Sequence, residues 1–274
     1  NYHWYLTNSA RTKTFLIDNG MTGSADMTPE LMKKMTGELL KSGLSPRTVD
    51  TFQRILKTFI GFCIREGYGG EEKALKVAGV RLPKHEPETF TRAEDKIMLD
   101  ALKDRPRDLM LFDFMLRTGL RLAEVCNVNL DDIVDSPTGS YVRVRQGKGR
   151  KDRIVPLDTT SDKLSDRLRR YIARVRPRDT AQTALFLANR RDGGDFVPLT
   201  PHGVQTLMKR LSRDTGVHIN PHKFRHTFST RALAAGVDVM ALQRALGHTT
   251  LTMVSRYVHY QRDDLLDAWR QRRD

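Results

Sequence analysis

SYVRVRQGKGRKDRIVPL, residues 140–157, is the place where the hydrophobic period of this chain changes. Tyr141, Val142 and Val144 precede Gly147-Lys148-Gly149, and Ile154, Val155 and Leu157 follow it. Two β-type runs around a glycine-flanked turn predict a β-hairpin with a basic tip. A lysine between glycines at such a tip is held away from the sheet, where it can reach a ligand. The same run also reads as a solvated, positively charged turn.

On both sides of the hairpin the signals are helical. Upstream, Thr91-Arg92-Ala93-Glu94 is a capping box, with Ile97, Met98 and Leu102 on one face. Leu109 to Leu116 is apolar nearly all round and predicts a buried helix, broken at Gly119, after which Arg121 to Val125 begins a new turn. Downstream, helices are predicted at Leu164–Val175 and, capped by Thr200-Pro201, along Val204, Leu207, Met208 and Leu211. Three more are expected at Pro221–Ala234, Val239–Leu246 and Leu251–Val258, with a tail helix at Leu265–Trp269.

Arg81-Leu82-Pro83-Lys84-His85-Glu86-Pro87-Glu88 has two prolines, several charges and little apolar surface, so it reads as an extended linker. Before it, Thr28-Pro29-Glu30 starts a helix carrying Leu31, Met32, Met35, Leu39 and Leu40. Ser45-Pro46 starts another with the stripe Val49, Phe52, Ile55, Leu56, Phe59, Ile60 and Cys63, and Trp4 to Ile17 is weakly helical. The fold class is therefore mainly α with a small antiparallel β-sheet (α+β). Residues 1–80 form an all-α domain that looks one helix short at its N-terminus, 81–90 a linker, and 91–274 a second domain.

The chain has 274 residues and a formal net charge of +14. Lys and Arg outnumber Asp and Glu by 13 to 10 over residues 1–88 and by 34 to 23 over 89–274. Such an excess favours a polyanion, because each cation that meets a phosphate releases condensed counterions. Most phosphate contacts are expected in the second domain. No apolar run reaches the roughly 18 residues of a membrane span, and no signal peptide is visible at the first residues. Cys63 and Cys126 are the only cysteines, which excludes a disulfide framework and a cysteine zinc site. A reducing, cytoplasmic setting associated with the nucleoid is the expectation.

Four short islands carry candidate chemistry. In Thr118-Gly119-Leu120-Arg121-Leu122-Ala123-Glu124 an arginine follows a glycine break, with a carboxylate three residues on. By itself this is also an ordinary i,i+3 surface pair. The second is the hairpin tip with Lys148, Arg150, Lys151 and Arg153. In the third, His222-Lys223-Phe224-Arg225-His226, His222 and Arg225 share a helix face and suit a phosphate, while Phe224 and Phe228 face the core. His222 and His226 also have the i,i+4 spacing of a metal pair, which Arg225 on the same helix opposes. The fourth is Gly247-His248, followed nine residues later by Tyr257. That tyrosine reads either as a core residue or as a presented hydroxyl.

Arg121, then Lys148, then His222-x-x-Arg225, then Gly247-His248, then Tyr257, in this order, closely resembles the tyrosine recombinase (phage integrase) family, over roughly residues 91–260. The resemblance implies a core-binding domain ahead of a catalytic domain, the two closing around a duplex. It implies that Arg121 and Arg225 bind the scissile phosphate, with Glu124 supporting the first. It also implies His222 and His248 as the two histidine positions, Lys148 as general acid and Tyr257 as nucleophile. Arg47, Arg150, Lys151, Arg153 and Lys223 are the candidate DNA contacts. The implied partner is double-stranded DNA, with four protomers on two sites, a monomer or dimer off DNA, and accessory DNA-bending proteins compatible with it. No metal or other cofactor is required. The alternatives weighed against a site-specific recombinase are a type IB topoisomerase, a non-catalytic DNA binder that keeps the fold, and a His-ligated metal hydrolase.

Overall fold

The computed structural model describes residues 26–82, 87–145, 152–158 and 163–247, together with residues 13, 14, 17, 18, 20 and 23. The chain divides into two compact units, residues 1–85 and 86–274.

The first unit contains α1 (Pro29–Lys41), α2 (Pro46–Arg65) and the short α3 (Glu72–Leu75). Proline opens the first turn of α1 and α2, where a missing N–H costs nothing, and the Thr28 and Ser45 hydroxyls accept from Leu31 and Thr48. Met27, Met32, Met35, Phe52, Leu56, Ile60 and Ala74 make its core. Gln53 is buried among them because its amide donates to the Thr36 hydroxyl (2.9 Å) and the Ala78 carbonyl (3.2 Å). Lys57 donates to the Val77 carbonyl. These bonds tie the segment after α3 to α2. Phe59 differs from the predicted stripe: it is 46% exposed, on the solvent side of α2.

The second unit opens with α4 (Arg92–Asp100), whose Thr91/Glu94 capping box closes reciprocally. α5 (Pro106–Thr118) runs through the centre, with Leu111, Phe112, Phe114 and Met115 fully buried. α6 (Leu122–Cys126) and a 3₁₀ turn lead into a three-stranded antiparallel sheet, β1 (Ile133–Ser136), β2 (Gly139–Val144) and β3 (Arg153–Pro156), in that order. Then come α7 (Leu164–Arg174), a hairpin of β4 (Leu187–Asp192) and β5 (Asp195–Pro198), α8 (Pro201–Thr215), α9 (Pro221–Ala234) and α10 (Val239–Leu246). Phe224 of α9 meets Phe90 and Phe112 edge-on, at 4.9 and 5.5 Å between ring centroids.

Several details differ from the sequence reading. β1 is a third strand beside the predicted hairpin, and β4–β5 is a second hairpin around Gly193-Gly194. Ile97 is 48% exposed, so α4 packs through Met98 and, just beyond its end, Leu102. Phe90, assigned to the linker by its neighbours, is buried on α9. Its N–H donates to the Thr227 hydroxyl, and its carbonyl accepts from Arg231. The helical readings of 4–17, 251–258 and 265–269 and the tip Gly147-Lys148-Gly149 lie wholly or mostly outside the described residues.

Candidate active site

Gly119 ends α5 in a left-handed conformation, φ +59°. That turn releases Leu120 and Arg121, and Arg121 becomes the N-cap of α6. Glu124, on the first turn of α6, reaches back. One of its oxygens accepts the Arg121 backbone N–H at 2.8 Å and the other accepts Arg121 Nη1 at 2.9 Å. The local sequence thus orients its own arginine, whose side chain stays 42% exposed.

Arg225 sits on the buried side of α9, one turn after His222. Its Nη1 donates to the Gly119 carbonyl (2.9 Å) and its Nη2 to the Leu246 carbonyl (2.6 Å). Neutral carbonyls orient a guanidinium without cancelling its charge. The same glycine that frees Arg121 therefore also holds Arg225. Arg121 Nη2 points to the Gly247 carbonyl at 3.5 Å, so both arginines converge on the end of α10. His222 is exposed at the start of α9, with its ring 6.3 Å from that of His226.

Glu124 has a second partner, Arg153 at the start of β3. Arg153 Nη2 and Nη1 lie 2.7 and 3.1 Å from the two carboxylate oxygens. Burial alone would raise the Glu124 pKa. The hydrogen bonds from Arg153 and from the Arg121 backbone outweigh it, so the carboxyl lies below its ordinary value and is ionised at neutral pH. One carboxylate between the guanidiniums of Arg121 and Arg153 leaves that trio with a surplus positive charge.

Two residues expected to contact DNA are placed elsewhere. Arg153 has a side chain only 8% exposed, turned onto Glu124. Lys223 has a side chain only 6% exposed, paired with Glu94 at 3.0 Å and lying 4.6 Å above the Phe90 ring. Neither side chain is open to a phosphate in this arrangement. A signal for Arg153 was present in the strand period: alternate residues of β3 share a face, and its next two same-face neighbours, Val155 and Leu157, are buried. Arg47 is exposed on the first turn of α2. Lys148, Arg150, Lys151, His248 and Tyr257 lie outside the described residues. Among the described residues no three His, Cys, Asp or Glu side chains group as a metal site, and no helix is long and apolar enough to cross a membrane.

The phage integrase family profile matches residues 88–263. Tyrosine recombinase XerA of Thermococcus kodakarensis is 33% identical over 248 residues, covering 90% of this chain and 83% of that protein. Tyrosine recombinase XerC of Oceanobacillus iheyensis is 29% identical over 263 residues, 93% of this chain and 84% of that one. A lambda integrase dimer bound to a COC′ core site shares the fold with a TM-score of 0.71 at 19% identity, over 95% of this chain and 87% of that chain. A crystal structure of XerA recombinase does so with a TM-score of 0.57 at 24% identity, over 99% and 92%. The match over most of the second unit, together with a relative at 33% identity along nearly the whole chain, places this protein in the phage integrase family, and it is a site-specific tyrosine recombinase.

Proposed function

We propose that this recombinase cuts and rejoins duplex DNA through a covalent 3′-phosphotyrosyl link at Tyr257, with Arg121 and Arg225 holding the scissile phosphate. The observation that carries the reading is the convergence of the Arg121 and Arg225 guanidiniums on the end of α10, Arg121 oriented by Glu124 and Arg225 by the Gly119 and Leu246 carbonyls. Such a site holds oriented guanidinium donors in a fixed place. Displacement at phosphorus builds negative charge on the non-bridging oxygens, and preorganised donors stabilise it without reorganisation.

The Tyr257 hydroxyl attacks phosphorus, its proton passing to His222, and the P–O5′ bond breaks. The leaving 5′-oxygen takes a proton from Lys148, which lies in the segment joining β2 to β3. His248 adds a donor to the phosphate. The phosphotyrosyl link conserves the bond energy, so the 5′-hydroxyl of another strand reverses the step with no external energy source. Four protomers on two DNA sites exchange strands through a Holliday junction, with the helical first unit as the core-binding domain and Arg47 as one of its DNA contacts.

The test is a nicked duplex carrying the DNA that flanks the gene, incubated with wild type and with Tyr257→Phe and run on a denaturing gel. A covalent band with wild type alone, joined at the 3′ side, is expected. An adduct of undiminished yield from Tyr257→Phe would remove Tyr257 from the role. Tight binding with no adduct from either protein would leave a DNA binder that keeps the fold.

A further inference from the structure

The end of α10 is capped by side chains from other elements. A helix leaves its last four carbonyls without intrahelical donors. In α10 the Gly247 N–H serves those of Gln243 and Arg244. The Ala245 carbonyl accepts Arg153 Nε at 2.7 Å, and the Leu246 carbonyl accepts Arg225 Nη2 at 2.6 Å. The Gly247 carbonyl faces Arg121 Nη2. Three arginines from three elements, β3, α9 and the start of α6, thus hold three successive carbonyls. Two of the three are the phosphate-binding pair. The third, Arg153, is the one also bound through both terminal nitrogens to Glu124.

We propose that Arg153 is a positioning residue for strand cleavage: it bridges Glu124 and the last turn of α10, and so sets the angle of Arg121 and the point from which the chain leaves toward His248. The inference rests on the recombinase reading above. Arg153 opens β3, two positions along the chain from Lys151. Its three donor groups are all used within the protein at 2.7–3.1 Å, and its burial keeps it from a DNA backbone. Lysine has one donor centre and cannot span a carboxylate and a carbonyl in the same plane.

The test compares wild type, Arg153→Gln, Arg153→Lys, Glu124→Gln and the Arg153→Gln/Glu124→Gln double variant. Two readouts are taken on the flanking-DNA duplex: the rate of covalent adduct formation, and the salt dependence of binding. A misplacement on the order of 1 Å slows a reaction by roughly 100-fold, and Arg153→Gln is expected to slow adduct formation by about that factor. The logarithmic salt slope should be unchanged, whereas loss of a phosphate contact would lower it by about 0.9. The double variant should be no slower than the slower single one, because both changes break the same bridge. Arg153→Lys should recover only part of the rate, and its thermal midpoint serves as the control for folding.

An Arg153→Gln adduct rate equal to wild type, a reduced salt slope, or multiplicative effects in the double variant would each overturn the proposal. Failure of wild type itself to form an adduct would overturn the recombinase reading first. The salt slope would then still decide whether Arg153 touches DNA.

Discussion

A Cβ placed on Gly119 would lie 2.4 Å from the ring of Phe228. The end of α5 and the middle of α9 therefore touch through backbone on one side and an aromatic ring on the other. Gly119 also has a positive φ and gives its carbonyl to Arg225. One residue without a side chain lets Arg121 and Arg225 approach the same place.

Gly119→Ala should accordingly cost about 2–4 kcal/mol of stability, from left-handed strain and the clash together. Adduct formation should fall with it, because Arg121 and Arg225 are both displaced. Adding Phe228→Ala should recover the steric share and leave the conformational one. Urea unfolding of the three proteins measures this; a Gly119→Ala protein as stable as wild type would contradict it.

Arg225→Lys keeps the charge but cannot reach the Gly119 and Leu246 carbonyls from one planar group. Removing one oriented donor from such a site lowers a rate by about 10²–10³. A loss of that size is expected in adduct formation, with DNA affinity nearly unchanged. Single-turnover cleavage beside equilibrium binding separates the two, and a near-wild-type rate would remove Arg225 from the phosphate site.

Lys223 belongs to the interior. Lys223→Gln breaks the pair with Glu94 and the contact with the Phe90 ring, so the second unit should lose about 1–3 kcal/mol. The salt slope of DNA binding should stay as in wild type. A slope lower by about 0.9 would return Lys223 to the DNA surface.

Glu124 gives a pH signature. Its folded pKa lies below the ordinary value of 4.5 because hydrogen bonds from Arg153 and Arg121 overcome the effect of burial. A carboxyl held lower in the folded than in the unfolded chain contributes stability above the ordinary value and loses it as pH falls through the folded one. The stability gap between wild type and Glu124→Gln should therefore be full at pH 7 and shrink below about pH 4.5. Acids common to both proteins cancel in that difference. A gap constant from pH 7 to pH 3 would show that the Glu124 charge does not matter to the fold.

Local sequence determined a great deal here. The caps at Thr28, Ser45, Thr91 and Thr200 are short-range hydrogen bonds between residues three apart, so they were legible without a fold. Pro221 opens the helix Pro221–Ala234, and the Asp238 side chain caps Val239–Leu246, which ends at left-handed Gly247. Arg121 and Glu124 are likewise a local pair, and the ordered set from Arg121 to Tyr257 was readable as a pattern of residue types. Tertiary structure decided which cations stay exposed and which pair inside the protein. Arg153 and Glu124 are 29 positions apart, and Lys223 and Glu94 are 129 apart. Charge reads the same on a surface and in a buried pair, so composition counted both as phosphate contacts. Burial of a charge is stable only when it is paired, and for Arg153 and Lys223 the partner comes from another element, Glu124 on α6 and Glu94 on α4.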